Sequence, residues 1–186
     1  MERKDAIQNA YKLARTNSFR DGMITCTTIS GKAVCHAVWG MGKAACDDYL
    51  THALSGIPTD FSGRLLEVPV GTGILTMPIY QTLPHADITC LDYSPDMMGR
   101  AQEKAKRLGL SNVHFQQSDV SALPFADGTF DIVLSLNGFH AFPDKEAAYK
   151  ETYRVLKPSG VFCGCFYVKG IAWFVCRKEK HYETEL

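Results

Sequence analysis

Residues 64–76, Arg-Leu-Leu-Glu-Val-Pro-Val-Gly-Thr-Gly-Ile-Leu-Thr, constrain this chain more than any other stretch. An apolar run reads as a strand, Gly71 and Gly73 as a tight turn, and the apolar residues after them as the opening of a helix. Glycines at such a turn let the backbone approach a ligand, and a helix start offers unpaired N–H groups. A bare Gly-x-Gly serves equally well as ordinary turn chemistry, so the residues downstream decide its meaning.

Downstream, the rhythm of strand, turn and helix repeats. Residues 65–70, 86–91, 112–116, 130–136 and 161–168 read as five strands. The segments between them read as helices: 72 to about 83, then 95–108 behind a Ser94 cap and ending at Gly109, then 145–156 ahead of a turn at 157–160. Strands alternating with helices imply right-handed crossovers and an open parallel sheet, with the ligand crevice at the carboxyl ends of the strands. Ahead of this core, residues 3–16 and 33–54 have helical spacing and form an expected N-terminal cap over 1–60. The cap's aromatic residues Tyr11, Phe19, Trp39 and Tyr49 read as packing, with a lid over the ligand as the alternative. The core is expected over 61–168 and a short tail over 169–186, all within a single domain.

The 186 residues suffice for one core without disulfide staples. Lys and Arg number 20 and so do Asp and Glu, which leaves no electrostatic footprint for nucleic acid or an anionic membrane. A small ligand is the expected partner. The seven cysteines are scattered without zinc spacing, so no metal is expected and the thiols read as reduced and buried. The N-terminus lacks the apolar core of a secretory signal, and no apolar run approaches the length of a membrane span. A soluble, cytoplasmic protein is expected.

In a sheet of this kind the ends of the first four strands converge, and here each ends in a polar residue: Glu67, Asp92, Asp119 and Asn137. Asp92 lies about twenty residues beyond the glycine turn, where a carboxylate accepts from a ribose diol. Tyr93 beside it is suited to packing on an adenine face, and Asp119 to accepting from the adenine amino group.

These residues resemble the class I S-adenosylmethionine-dependent methyltransferases, in particular the ubiquinone and menaquinone biosynthesis branch. Leu65-Leu-Glu-Val-Pro-Val-Gly-Thr-Gly73 is similar to that family's acidic residue and glycine loop, and Ile88-Thr-Cys-Leu-Asp92-Tyr-Ser-Pro to its ribose-binding segment. Gln117-Ser-Asp-Val-Ser-Ala-Leu-Pro-Phe125, the run 130–143 and Glu151-Thr-Tyr-Arg-Val-Leu-Lys-Pro-Ser-Gly160 resemble its later blocks. The resemblance implies a Rossmann-like α/β sheet of strand order 3-2-1-4-5 with helices on both faces, and S-adenosyl-L-methionine as cofactor with S-adenosyl-L-homocysteine as product.

The resemblance also implies that Glu67 and the loop of Pro69, Gly71, Thr72 and Gly73 hold the methionine part. Asp92 would take the ribose, Tyr93 or Met97 would flank the adenine, and Asp119 with the Val120 amide would read its edge. Asn137 and Gly138 would line the methyl side, and His140 is a candidate general base, with a positioning or core histidine as the alternative. Pro69 stands where the family usually has its first glycine. Relatives continue past strand five with an antiparallel strand pair, for which residues 171–176 are the expected substitute; otherwise the exposed edge invites a homodimer. Two rivals remain open: a cofactor-binding protein without catalysis, and an NAD-dependent oxidoreductase. Against the second, Glu67 would face a pyrophosphate, an unfavourable pairing.

Overall fold

The structure, a computed structural model, describes residues 51–168 and 171–179 together with Ala44 and Asp48, with side chains described as far as residue 166. The expected helix at 3–16, most of the one at 33–54 and the aromatic residues of the cap lie outside the described residues. Of the second helix, residues 51–53 are helical, and behind them Ala53, Leu54 and Ile57 are buried against the core.

Six strands form one sheet: β1 (Arg64–Glu67), β2 (Asp87–Asp92), β3 (Val113–Gln117), β4 (Phe130–Leu136), β5 (Leu156–Val168) and β6 (Ile171–Glu179). The order is β3-β2-β1-β4-β5-β6. The first five strands run parallel, and β6 returns antiparallel along β5. The outer edge on that side is therefore β6, and the substitution expected at 171–176 extends to Glu179.

Side chains of a strand alternate between faces, and here each face has its own core. Leu65, Ile88, Ile132 and Leu134 pack with α1 (Met77–Tyr80) and α2 (Pro95–Leu108), burying Met77, Tyr80, Ala101 and Ala105. Leu66, Leu91, Val133 and Phe130 pack on the other face with α3 (Lys145–Val155) through Ala148 and Val155. Helix α2 begins where Ser94 Oγ accepts from the Met97 N–H and ends at Gly109, whose φ of 68° is the left-handed conformation that favours glycine. Asp144 caps α3 in the same manner.

Three boundaries differ from those expected by more than a residue, each for a local reason. Strand β1 stops at Glu67, because Pro69 has no N–H to give the ladder; Val68 and Val70 still donate to Leu134 and Leu91. The helix expected from residue 72 is the single turn α1; its late start follows from Pro78, which fits only a first turn, so that the chain before Met77 is left as turns. Strand β5 begins at Leu156, opposite Phe130, and accommodates Lys157–Gly160 as an irregularity before Val161 pairs with Ile132. Within it Ser159 takes φ 63°. Among the described residues no helix is long and apolar enough to cross a membrane.

Candidate cofactor site

The carboxyl ends of β1, β2, β3 and β4 surround a cavity of about 540 Å³, within the size range of small-molecule sites. Every residue expected to hold the cofactor lines it: Glu67, Pro69, Gly71, Thr72, Gly73, Asp92, Tyr93, Met97, Asp119, Val120, Asn137 and Gly138. His140 does not. It lies exposed on a short 3-10 turn, Phe139–Ala141, while the neighbouring Ala141, Phe142 and Pro143 do line the cavity.

Asp92 organises the floor. Its Oδ2 accepts from the Gly71 N–H at 2.7 Å and its Oδ1 from the Ser94 N–H at 2.8 Å. Those two bonds fix the carboxylate, and each oxygen keeps a second lone pair for a hydroxyl donor. Gly71 and Gly73 both have positive φ, 56° and 63°. A Cβ on Gly73 would also strike Met77 and Ala101, so that position needs glycine for space as well as for conformation.

Glu67 is buried, 1% exposed, at the end of the central strand. Tyr80 donates its hydroxyl to Oε2 at 2.7 Å, and the Cys90 thiol lies 3.6 Å from the same oxygen. Burial raises the Glu67 pKa to about 8, although the Tyr80 hydrogen bond favours the charged form. Asp119 is the opposite case. It is exposed, and the backbone N–H and hydroxyl of Ser121, each 2.8 Å from Oδ1, hold its pKa below the usual carboxylate value. His140 is also shifted down, by partial burial and then by Lys145.

The wall beyond Asp119 is anchored from behind. Arg154 of α3 donates to the carbonyls of Leu123 and Phe125 and to Asp127, while its partner Glu151 accepts from the Leu123 N–H. Sequence reading assigned no role to this pair, although both residues lie in the block 151–160. It also missed Thr76, a cavity-lining residue 1% exposed whose hydroxyl lies beside Glu67 and favours its charged form. No sequence signal separates such a threonine from one that merely packs.

The site fits a cationic adenosyl cofactor. Its lining includes three carboxyls, Glu67, Asp92 and Asp119, and, among the described residues, no lysine, arginine or histidine. A pyrophosphate would meet charge of its own sign there, whereas a sulfonium and an ammonium would not. Glycine turn, acidic rim and 3-2-1-4-5 sheet together define the class I S-adenosylmethionine-dependent methyltransferase fold.

Residues 65–160 match the family described as the methyltransferase domain, and the chain belongs to that family. The cofactor that accompanies this family is S-adenosyl-L-methionine. The chain is 42% identical over 97 residues to demethylmenaquinone methyltransferase of Thermus thermophilus, covering 52% of this chain and 44% of that protein. To the chloroplastic 2-methyl-6-phytyl-1,4-hydroquinone methyltransferase 2 of Oryza sativa it is 36% identical over 100 residues, 54% of this chain and 28% of the relative. Among solved structures, the [4+2]-cyclase SpnF superposes with a TM-score of 0.61 at 27% identity, covering 67% of this chain and 46% of the cyclase. The chain spans less than half the length of each of these relatives.

Proposed function

We propose that this domain binds S-adenosyl-L-methionine and transfers its methyl group to a small, apolar, planar acceptor of the hydroquinone type. The observation that carries the cofactor half is the cavity lining, in which three carboxyls stand around a glycine turn with no basic side chain among the described residues. Bound there, the cofactor supplies a methyl group already made electrophilic by a positive sulfur. What the chain contributes is alignment and dryness. Asp92 takes the ribose hydroxyls, Glu67 and the 69–73 loop take the methionine end, and Asp119 with the Val120 N–H takes the adenine edge.

Two observations support the acceptor half. The cavity wall beside Asn137 and Gly138 is apolar, formed by Leu136, Ala141, Phe142 and Pro143. Behind it Phe139 packs edge-on with Phe142 and Phe162, at centroid distances of 5.2 and 5.5 Å. Aromatic surroundings of this kind suit a flat ring. The two curated relatives above are named for such rings, a demethylmenaquinone and a hydroquinone.

Calorimetry with S-adenosylhomocysteine and with NAD tests the cofactor: the first is expected to bind and the second not. Transfer of a labelled methyl group to hydroquinones, against catechols and amines as controls, tests the acceptor. Among the similar structures is a cyclase, which favours a second reading, a cofactor-shaped cavity used without methyl transfer. Tight cofactor binding with no turnover across that panel selects it.

A further inference from the structure

Glu67 sits in an asymmetric setting that binding of an adenosyl group alone does not require. Cys90 of β2 is its direct neighbour across the ladder, and Tyr80 reaches it from α1. Both approach Oε2, and no donor among the described residues makes a hydrogen bond of good geometry to Oε1. On the same cavity wall the buried Thr76 hydroxyl lies beside Glu67, where it favours the charged carboxylate. A carboxyl whose good hydrogen bonds all fall on one oxygen, on a cavity wall beside a hydroxyl, forms half of a site for a small cation that carries its own N–H donors.

We propose that Tyr80 is a positioning residue for cofactor capture: its hydroxyl holds Oε2 so that Oε1 meets the ligand's ammonium group, and Glu67 releases its proton to water as that ammonium arrives. This rests on the reading of the cavity as an S-adenosylmethionine site. The groups facing Glu67 are Tyr80 of α1, with Cys163 of β5 acting on Tyr80 in turn, and Cys90 and Asp92 of β2. Burial, reinforced by the Glu67 charge, pushes both the Tyr80 phenol and the Cys90 thiol well above their ordinary values, so both remain protonated donors. Of these three hydrogen-bonded groups only Glu67, at about 8, changes charge in the physiological range.

The sign of the coupling follows. Below about pH 8 the ligand-free carboxyl keeps its proton. An ammonium against it favours the charged form, so the complex holds fewer protons and affinity rises with pH, by up to about tenfold per pH unit, until the ligand's own ammonium begins to lose its proton. Removing the Tyr80 hydroxyl withdraws a bond that favours the charged carboxylate. In Tyr80→Phe the affinity lost is therefore expected to be largest at low pH and to shrink as pH rises.

The test is calorimetry of S-adenosylhomocysteine binding at pH 6.5 in buffers of different ionisation enthalpy, which counts protons directly. Release approaching one proton is expected for the wild-type protein. None is expected for Glu67→Gln, nor for wild type with 5′-methylthioadenosine, which keeps the adenosine and lacks the ammonium. Binding of S-adenosylhomocysteine without proton release overturns the inference and leaves the cofactor assignment standing. No binding at any pH removes both. A Tyr80→Phe loss of equal size at every pH reduces Tyr80 to a packing role and also overturns it. Should that variant not fold, the comparison of Glu67→Gln and the two ligands decides alone.

Discussion

The two ends of the cavity carry the same functional group in opposite states. Glu67 terminates the central strand β1, between β2 and β4, and is buried with its pKa raised to about 8. Asp119 follows the edge strand β3, is exposed, and is held ionised by Ser121. The contrast is set by lateral position in the sheet rather than by residue type. A side chain at the end of an inner strand is covered by its neighbours, and one beyond an edge strand is left to water. A single rim thus offers a carboxyl that charges when a cation arrives and one that is charged throughout.

The largest expected effect removes the group between those ends. Asp92→Ala leaves the Gly71 and Ser94 N–H groups without their acceptor and is expected to weaken S-adenosylhomocysteine binding by about a hundredfold, roughly 3 kcal/mol, by calorimetry. Next, the two carboxyls are expected to give opposite pH slopes of stability. The folded state holds the Glu67 proton more tightly than the unfolded chain does. Unliganded stability therefore falls as pH rises between about 4.5 and 8. Asp119 has a lowered pKa, so its contribution is present at neutral pH and is lost only as pH falls through the acid range. Thermal melts across pH 4–9 check this: Glu67→Gln is expected to flatten the neutral-range decline, and Asp119→Asn to leave it intact.

Smaller effects follow at the exposed end. Arg154→Ala releases the 123–127 segment. It is expected to lower affinity for S-adenosylhomocysteine by about fivefold, and to lower that for S-inosylhomocysteine less, if the wall it anchors meets the adenine edge as proposed. Asp119→Ala is expected to cost about threefold, nearly constant above pH 5, in line with the worth of exposed polar contacts. His140→Ala is expected to change turnover by less than about twofold, because the ring lies outside the cavity lining. A larger loss would restore His140 as a general base.

The succession of strands was legible because the sequence punctuates it. Ser94-Pro95, Gly109 and Asp144 mark helix ends by local chemistry, and the acidic rim could be read from spacing alone. What escaped depends on contacts between distant residues or on a proline overruling an apolar pattern. Residues 72–83 have helical hydrophobicity, but Pro78, tolerated only in a first turn, keeps the helix from starting before Met77. Tyr80 reads as an ordinary buried aromatic, and only the folding of α1 onto β1 brings its hydroxyl to Glu67. The direction of His140 is set by the 3-10 turn that carries it, and nothing in the letters around it encodes that turn.

Pro69 and Gly138 face each other across the first and fourth strand ends, where a Cβ on residue 138 would collide with the proline ring. Residue 138 is closed from two sides, because Ser135 Oγ also lies within 2.9 Å of where its Cβ would sit. A chain with glycine at 69 would still have to turn that serine aside before alanine fitted opposite, and filling residue 138 alone would drive the loop outward. A designer reshaping this pocket would therefore have to vary residues 69, 135 and 138 together.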